Sequence, residues 1–155
     1  MAKYRNLTTE ELKTFEKEFV EYLIVNGIVA EDWERIKVEE TDKAEKIIDL
    51  FSDVIFEGVM RKVAFMEIRT KGYVQAIQCL QDKMIMVVLT ANDESIDLSN
   101  FNGNVTYTAE QVSLHQGEKK YDKQREIELF DLTEKGYQIS EGSLFKSLIL
   151  ATVTE

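Results

Sequence analysis

Apolar residues recur along this chain with two different periods, and the change of period divides it. Leu12, Phe15, Phe19, Tyr22 and Leu23 fall at helical spacing, one stripe over three turns. Thr8, Thr9, Glu10 and Glu11 open that stripe as a capping residue and an acidic first turn should. Asn26-Gly27 closes it, since glycine takes the left-handed position beyond a helix end without a Cβ clash. A shorter helix follows over Ala30–Lys37, with Trp33 and Ile36 as its apolar side. Thr41 and Asp42 then open a third helix, whose stripe is Ala44, Ile47, Ile48, Phe51, Val54, Ile55 and Val59.

Near Arg61 the period falls from 3.6 to 2. Val63–Thr70, Tyr73–Leu80 and Met84–Thr90 read as strands, rich in β-branched and aromatic residues. The links Lys71-Gly72 and Gln81-Asp82-Lys83 are short enough for hairpins, which makes the pairing antiparallel. Ala91–Asn104 is polar and turn-prone. Beyond it Val105–Thr108 fits a fourth strand, while Thr108 could equally cap a helix running to Leu114. Lys120–Lys135 reads as a helix stopped by Gly136, and Ser140 is expected to cap a last helix carrying Leu144, Phe145, Leu148 and Ile149. The predicted architecture is α+β in a single globular domain over 1–155: N-terminal helices, a central antiparallel β-meander of three to four strands, and C-terminal helices. Hairpin-length links leave no room for parallel crossovers.

Three stretches together look familiar: LTTEELKTFEKEFVEYLIVNGIVAEDWERI, FSDVIFEGVMRKVAFME and QGEKKYDKQREIELFDLTEKGYQISEGSLFKSL. They resemble a family of short bacterial proteins classed as a domain of unknown function. The resemblance implies a bacterial single-domain protein and supplies no activity and no site residues.

Charge and composition narrow the function classes. The 155 residues include 19 Lys+Arg and 29 Asp+Glu, for a net charge of −10. A balance this acidic argues against a nucleic-acid partner, because phosphate binding depends on cationic side chains. Residues 63–117 hold only three basic and six acidic side chains, as suits a buried sheet. No apolar run approaches the ~20 residues that span a bilayer. The opening MAKYRNLTTEEL lacks the apolar core of a secretory signal, so a cytoplasmic protein is expected.

Candidate chemistry is sparse. His115 is the sole imidazole and Cys79 the sole thiol. A role for His115 needs an adjacent nucleophile with an orienting acid, or two or three more metal ligands, and its place beside Gly117 favours a polar loop residue. One cysteine cannot build a thiolate metal cage. Cys79 sits on a predicted strand and reads as core. Asp49, Asp53 and Glu57 stand four apart on one face of the third helix, where a cation or an acid–base pair could sit, although solvated charge is the ordinary occupant of such a face. The loop carboxylates Asp93, Glu94 and Asp97 are the weak metal candidates, being of the oxygen type that calcium prefers. Their register lacks the calcium loop's glycine and closing glutamate. Lys119, Lys120, Lys123 and Arg125 form one basic cluster, interleaved with acids as on a salt-bridged helix face. No glycine-rich phosphate loop occurs, and no cofactor or catalytic residue is assigned.

The pattern favours a non-enzymatic protein-interaction or regulatory module. The rivals are a small carboxylate- or metal-dependent enzyme and an acidic mimic of nucleic acid. Met84–Leu89 is apolar at six successive positions, so both faces of that strand avoid water. The sheet's second face then needs a cover: self-association as a dimer is expected, with a three-layer monomer as the competing arrangement.

Overall fold

A computed structural model describes residues 3–103 and 106–154. The chain divides into two compact units, Met1–Val59 and Met60–Glu155.

The first unit is helical: α1 (Thr9–Thr14), α2 (Glu16–Val25), α3 (Ala30–Glu39) and α4 (Thr41–Arg61). Thr8 caps α1 reciprocally. Its hydroxyl accepts the Glu11 N–H at 3.2 Å, and the Glu11 carboxylate accepts the Thr8 N–H at 2.9 Å, so two otherwise orphaned donors are satisfied. The Arg5 guanidinium, 2.8 Å from that carboxylate, leads the effects that lower the Glu11 pKa to about 2; the Thr8 amide adds to it. The single N-terminal stripe is in fact two helices, because Phe15 leaves helical geometry (φ −102°, ψ 24°). Gly27 ends α2 at φ +77°, as the sequence indicates.

Phe51 anchors this unit, its ring 4.9 Å from Phe19 and 5.4 Å from Tyr22, while Phe19 meets Trp33 edge-on at 5.2 Å. The buried line of α4 is rotated from the expected stripe. Ala44, Phe51, Ser52 and Phe56 are inside, whereas Val54 and Val59 are 55% and 41% exposed. Ser52 is buried to receive a backbone donor: its hydroxyl accepts the Leu7 N–H at 2.9 Å. The amides of Lys3 and Tyr4 donate to the Asp53 carboxylate at 2.9 and 3.1 Å, so the segment before α1 is strapped along α4.

The second unit is an antiparallel sheet in the order β4-β3-β2-β1-β5, made of β1 (Phe65–Arg69), β2 (Tyr73–Cys79), β3 (Lys83–Ala91), β4 (Val112–Lys120) and β5 (Gln138–Ser140), with helices α5 (Arg125–Glu134) and α6 (Ser143–Thr154). The α+β architecture is as expected. Three local readings are corrected. Val105 lies outside the described residues and 106–108 are irregular, while the fourth strand runs over Val112–Lys120 and is paired to β3 along its length; no helix reaches Leu114. Since β4 absorbs Lys119 and Lys120, the next helix begins only at Arg125. Ser140 closes β5 opposite Phe65 rather than capping α6. The first helical bond of α6, from the Lys146 N–H, ends on the Gly142 carbonyl.

Gly142 cannot be replaced freely. Its φ is +95°, and a Cβ there would lie 2.6 Å from the Phe65 ring. One sheet face is packed by α6: Leu144, Phe145 and Leu148 form a core with Val74, Ala76, Val87 and Leu89, completed by Leu98 and Phe101 from the 91–103 loop. That loop is therefore not merely a polar connection. The Leu98 N–H donates to the Lys71 carbonyl at 2.9 Å, and Arg69 donates through Nε to the Phe101 carbonyl.

Candidate functional site

Three clefts formed by the described residues of the second unit differ in their chemistry. The roomiest, about 490 Å³, lies where α6, the first residues of β4 and the loop before β4 come together. Strand pairing brings Leu114 beside Leu89, and the helical spacing of Ser147, Leu148 and Ala151 lays one side of α6 along the opening. Phe101 and Tyr107, with ring centroids 6.2 Å apart, form another wall. Hydroxyls of Thr106, Thr108, Ser113 and Ser147 complete the lining. Among the described residues no carboxylate, amine, guanidinium, imidazole or thiol lines it. Part of the polar rim is already held: Ser113 donates to the Asn92 side-chain carbonyl at 2.9 Å, and the Thr108 N–H donates to that of Gln111 at 2.9 Å.

The second cleft, about 300 Å³, lies between α5 and the other sheet face, with Gln75, Ile77, Met84 and Met86 as its floor. Its rim is ionic but internally paired: Lys119 lies 2.6 Å from Glu128 and 3.0 Å from Asp122, and Lys123 lies 2.8 Å from Asp131. Burial works against ionisation of Glu128, yet Lys119 and the backbone N–H groups of Lys123 and Asp122 outweigh it and hold its pKa below the ordinary value. Tyr137 donates its hydroxyl proton to Gln75 at 2.7 Å, and burial raises its pKa.

The basic cluster is thus half as expected. Lys119 and Lys123 are surface ion pairs, but Arg125 is buried and structural. Its guanidinium donates to the carbonyls of Leu80 (3.0 Å), Met60 (3.1 Å), Cys79 (3.0 Å) and Val63. The planar fork of donors suits this polydentate role, which a lysine could not fill. Beside it, burial pushes the Cys79 thiol up to about 11 against a smaller opposing effect of Arg125. A thiol so protonated is a poor nucleophile. Burial likewise raises Tyr121 to about 12, and its hydroxyl donates to the Leu80 carbonyl at 2.7 Å.

The third cleft, about 410 Å³, contains Asp93 and Glu94 beside Lys71 and Gly72. Asp93 accepts the Ser95 N–H at 2.9 Å, and Asp97 accepts the Ser99 N–H at 2.9 Å together with its hydroxyl. Those bonds from Ser99 lower the Asp97 pKa. Both carboxylates serve as local turn caps. Among the described residues no group of three His, Cys, Asp or Glu side chains is placed to hold a metal ion, so Asp93, Glu94 and Asp97 are not gathered into one centre. His115 is exposed on β4. Asp53 is committed to the N-terminal strap, and Glu57 lies 3.6 Å from the Lys3 amine.

A family model for a family of unknown function (DUF6495) matches residues 1–152. The chain belongs to that family. Comparison with curated proteins and with solved structures found no match. Membership in DUF6495 supplies no activity, so the chemistry of this member is read from its own clefts. Among its described residues no helix is long and apolar enough to cross a membrane.

The neutral cleft was not visible in the sequence. Its residues come from five separate stretches, and serines, threonines and two alanines carry no motif. Only the topology gathers them.

Proposed function

We propose that this DUF6495 member is a non-enzymatic interaction or regulatory module of the bacterial cytoplasm, with the cleft between α6 and β4 as its binding site. One observation carries the reading: the roomiest of the three clefts is lined by apolar and hydroxyl side chains and by no general base, metal ligand or activated nucleophile among the described residues. Acid–base and nucleophilic catalysis need a titratable group within hydrogen-bond reach of the reacting atom. Recognition needs only shape, apolar area and a few polar contacts. A thermal-shift series with Ca²⁺, Mg²⁺, Mn²⁺ and Zn²⁺ tests the choice, since any ligand of the native state raises apparent stability. No shift is expected. A rise in melting temperature that Asp93→Asn abolishes would replace this reading with a cation-dependent one.

A second reading, self-association, is favoured by β3. Met86 and Val88 point to the face opposite α6 and are only half-buried, and Tyr73 is exposed two strands' width from the edge. A two-fold partner is a common cover for such a patch. Light scattering after size exclusion should give the mass of two chains at tens of micromolar, and Val88→Asp should give a folded monomer. A single-chain mass for the unaltered protein would remove this reading.

A further inference from the structure

We propose that the cleft between α6 and β4 selects an uncharged, mainly apolar small molecule bearing one or two hydrogen-bonding groups; this rests on the reading of that cleft as the binding site and adds the class of ligand. Size and charge carry the argument. A volume of about 490 Å³ falls within the roughly 300–1,000 Å³ of pockets that hold small molecules. Leu89, Phe101 and Leu148 supply an apolar floor and wall, on which an aromatic or aliphatic body gains by leaving water.

The chain carries a net charge of −10, yet this cleft gathers none of its charged side chains among the described residues. An anion entering would be desolvated without a counter-charge and within a negative overall field; a cation would shed its hydration with no carboxylate to receive it. Either costs far more than moving a neutral body. The contrast inside the molecule is direct, because the cleft under α5 has cations and carboxylates on its rim. Hydroxyls are the fitting partners for a neutral ligand, since each can donate or accept as required. Ser147 stands at the mouth on an exposed turn of α6. Gly103 holds a left-handed φ of +89° beside it, a conformation that favours glycine.

Two fluorescent probes that share one ring system test the inference: neutral N-phenyl-1-naphthylamine and anionic 1-anilinonaphthalene-8-sulfonate. The neutral probe should bind with one-to-one stoichiometry, at least about tenfold more tightly than the sulfonate. Ser147→Phe fills the mouth from an exposed position and should reduce that binding at least about tenfold with the melting temperature unchanged. Ala109→Trp, on the exposed loop, should do the same and stands in if Ser147→Phe does not fold. Equal affinities for both probes, each lost in Ser147→Phe, would overturn the ligand class and leave the site standing. Probe binding that neither variant alters would overturn the site, and the functional reading with it. Absence of binding up to the neutral probe's solubility would also overturn the ligand class.

Discussion

The two faces of the sheet are held by different physics. On the α6 face, Val74, Ala76, Val87 and Leu89 meet Leu144, Phe145 and Leu148 in a continuous apolar core. On the α5 face, buried Met66, Ile77 and Met84 alternate with polar anchoring: the Arg125 clamp, the Tyr121 and Tyr137 hydroxyl bonds, and the Lys119–Glu128 pair. Apolar packing is non-directional and tolerates substitutions that conserve volume. A polar lock is directional, and removal of one partner strands the others in a low-dielectric interior. The lesson is that α6 is fastened by area and α5 by geometry, which leaves the α6 side free to present a neutral cleft.

The largest expected effect tests the lock. Arg125→Met keeps much of the side-chain volume but leaves the Met60, Val63 and Cys79 carbonyls without its guanidinium. At about 1–3 kcal/mol for each buried group left unsatisfied, it should destabilise by at least about 3 kcal/mol. Leu144→Met on the opposite face should cost less than about 1.5 kcal/mol. Equal denaturant midpoints for the two variants would erase the distinction. Next comes Gly142→Ala, expected to cost about 1–3 kcal/mol from its left-handed backbone, with the close approach to Phe65 adding to it. An unchanged melting temperature would mean that α6 can shift without loss. Tyr137→Phe removes one half-buried hydrogen bond to Gln75 and should cost about 0.5–1.5 kcal/mol.

The smallest effect is a pH dependence. Because the folded pKa of Glu128 is depressed, its pairing contributes fully above its ordinary value near 4.5. That contribution disappears as pH falls through the lower folded value. Glu128→Gln should therefore narrow the stability difference between pH 6 and pH 3. A parallel pair of pH–stability curves would show that the ion pair is solvent-screened and contributes nothing measurable.

Strands β1 to β3 were legible because alternation and short turns speak locally, and they fall within one or two residues of expectation. Strand β4 was not. As an edge strand it buries no residue fully, so Val-Ser-Leu-His-Gln-Gly-Glu-Lys-Lys carries little hydrophobic period, and only its pairing with β3 defines it. The inside of α4 matches the expected stripe at Ala44 and Phe51 and departs from it beyond them, where Phe56 and Met60 are buried in place of Val54 and Val59. Ser52 belongs to the core through its bond to Leu7, a partner 45 residues away. Arg125 looked like a surface cation for the same reason: its carbonyl partners lie 45 to 65 residues away. Asp93, Glu94 and Asp97 were visible as an acidic loop, but the engagement of Asp93 and Asp97 as turn caps depends on backbone geometry.

The central claim is that recognition belongs to the uncharged cleft on the α6 side. An amide nitrogen–proton NMR titration of the unaltered protein with N-phenyl-1-naphthylamine tests it most directly. The account predicts saturable shifts at Phe101 and Gly103, over Thr106–Leu114 and at Ser147–Ala151, with Asp93, Glu94 and the α5 residues unmoved. Shifts centred on α5 or on Asp93 and Glu94, with the α6 turn unmoved, would contradict it.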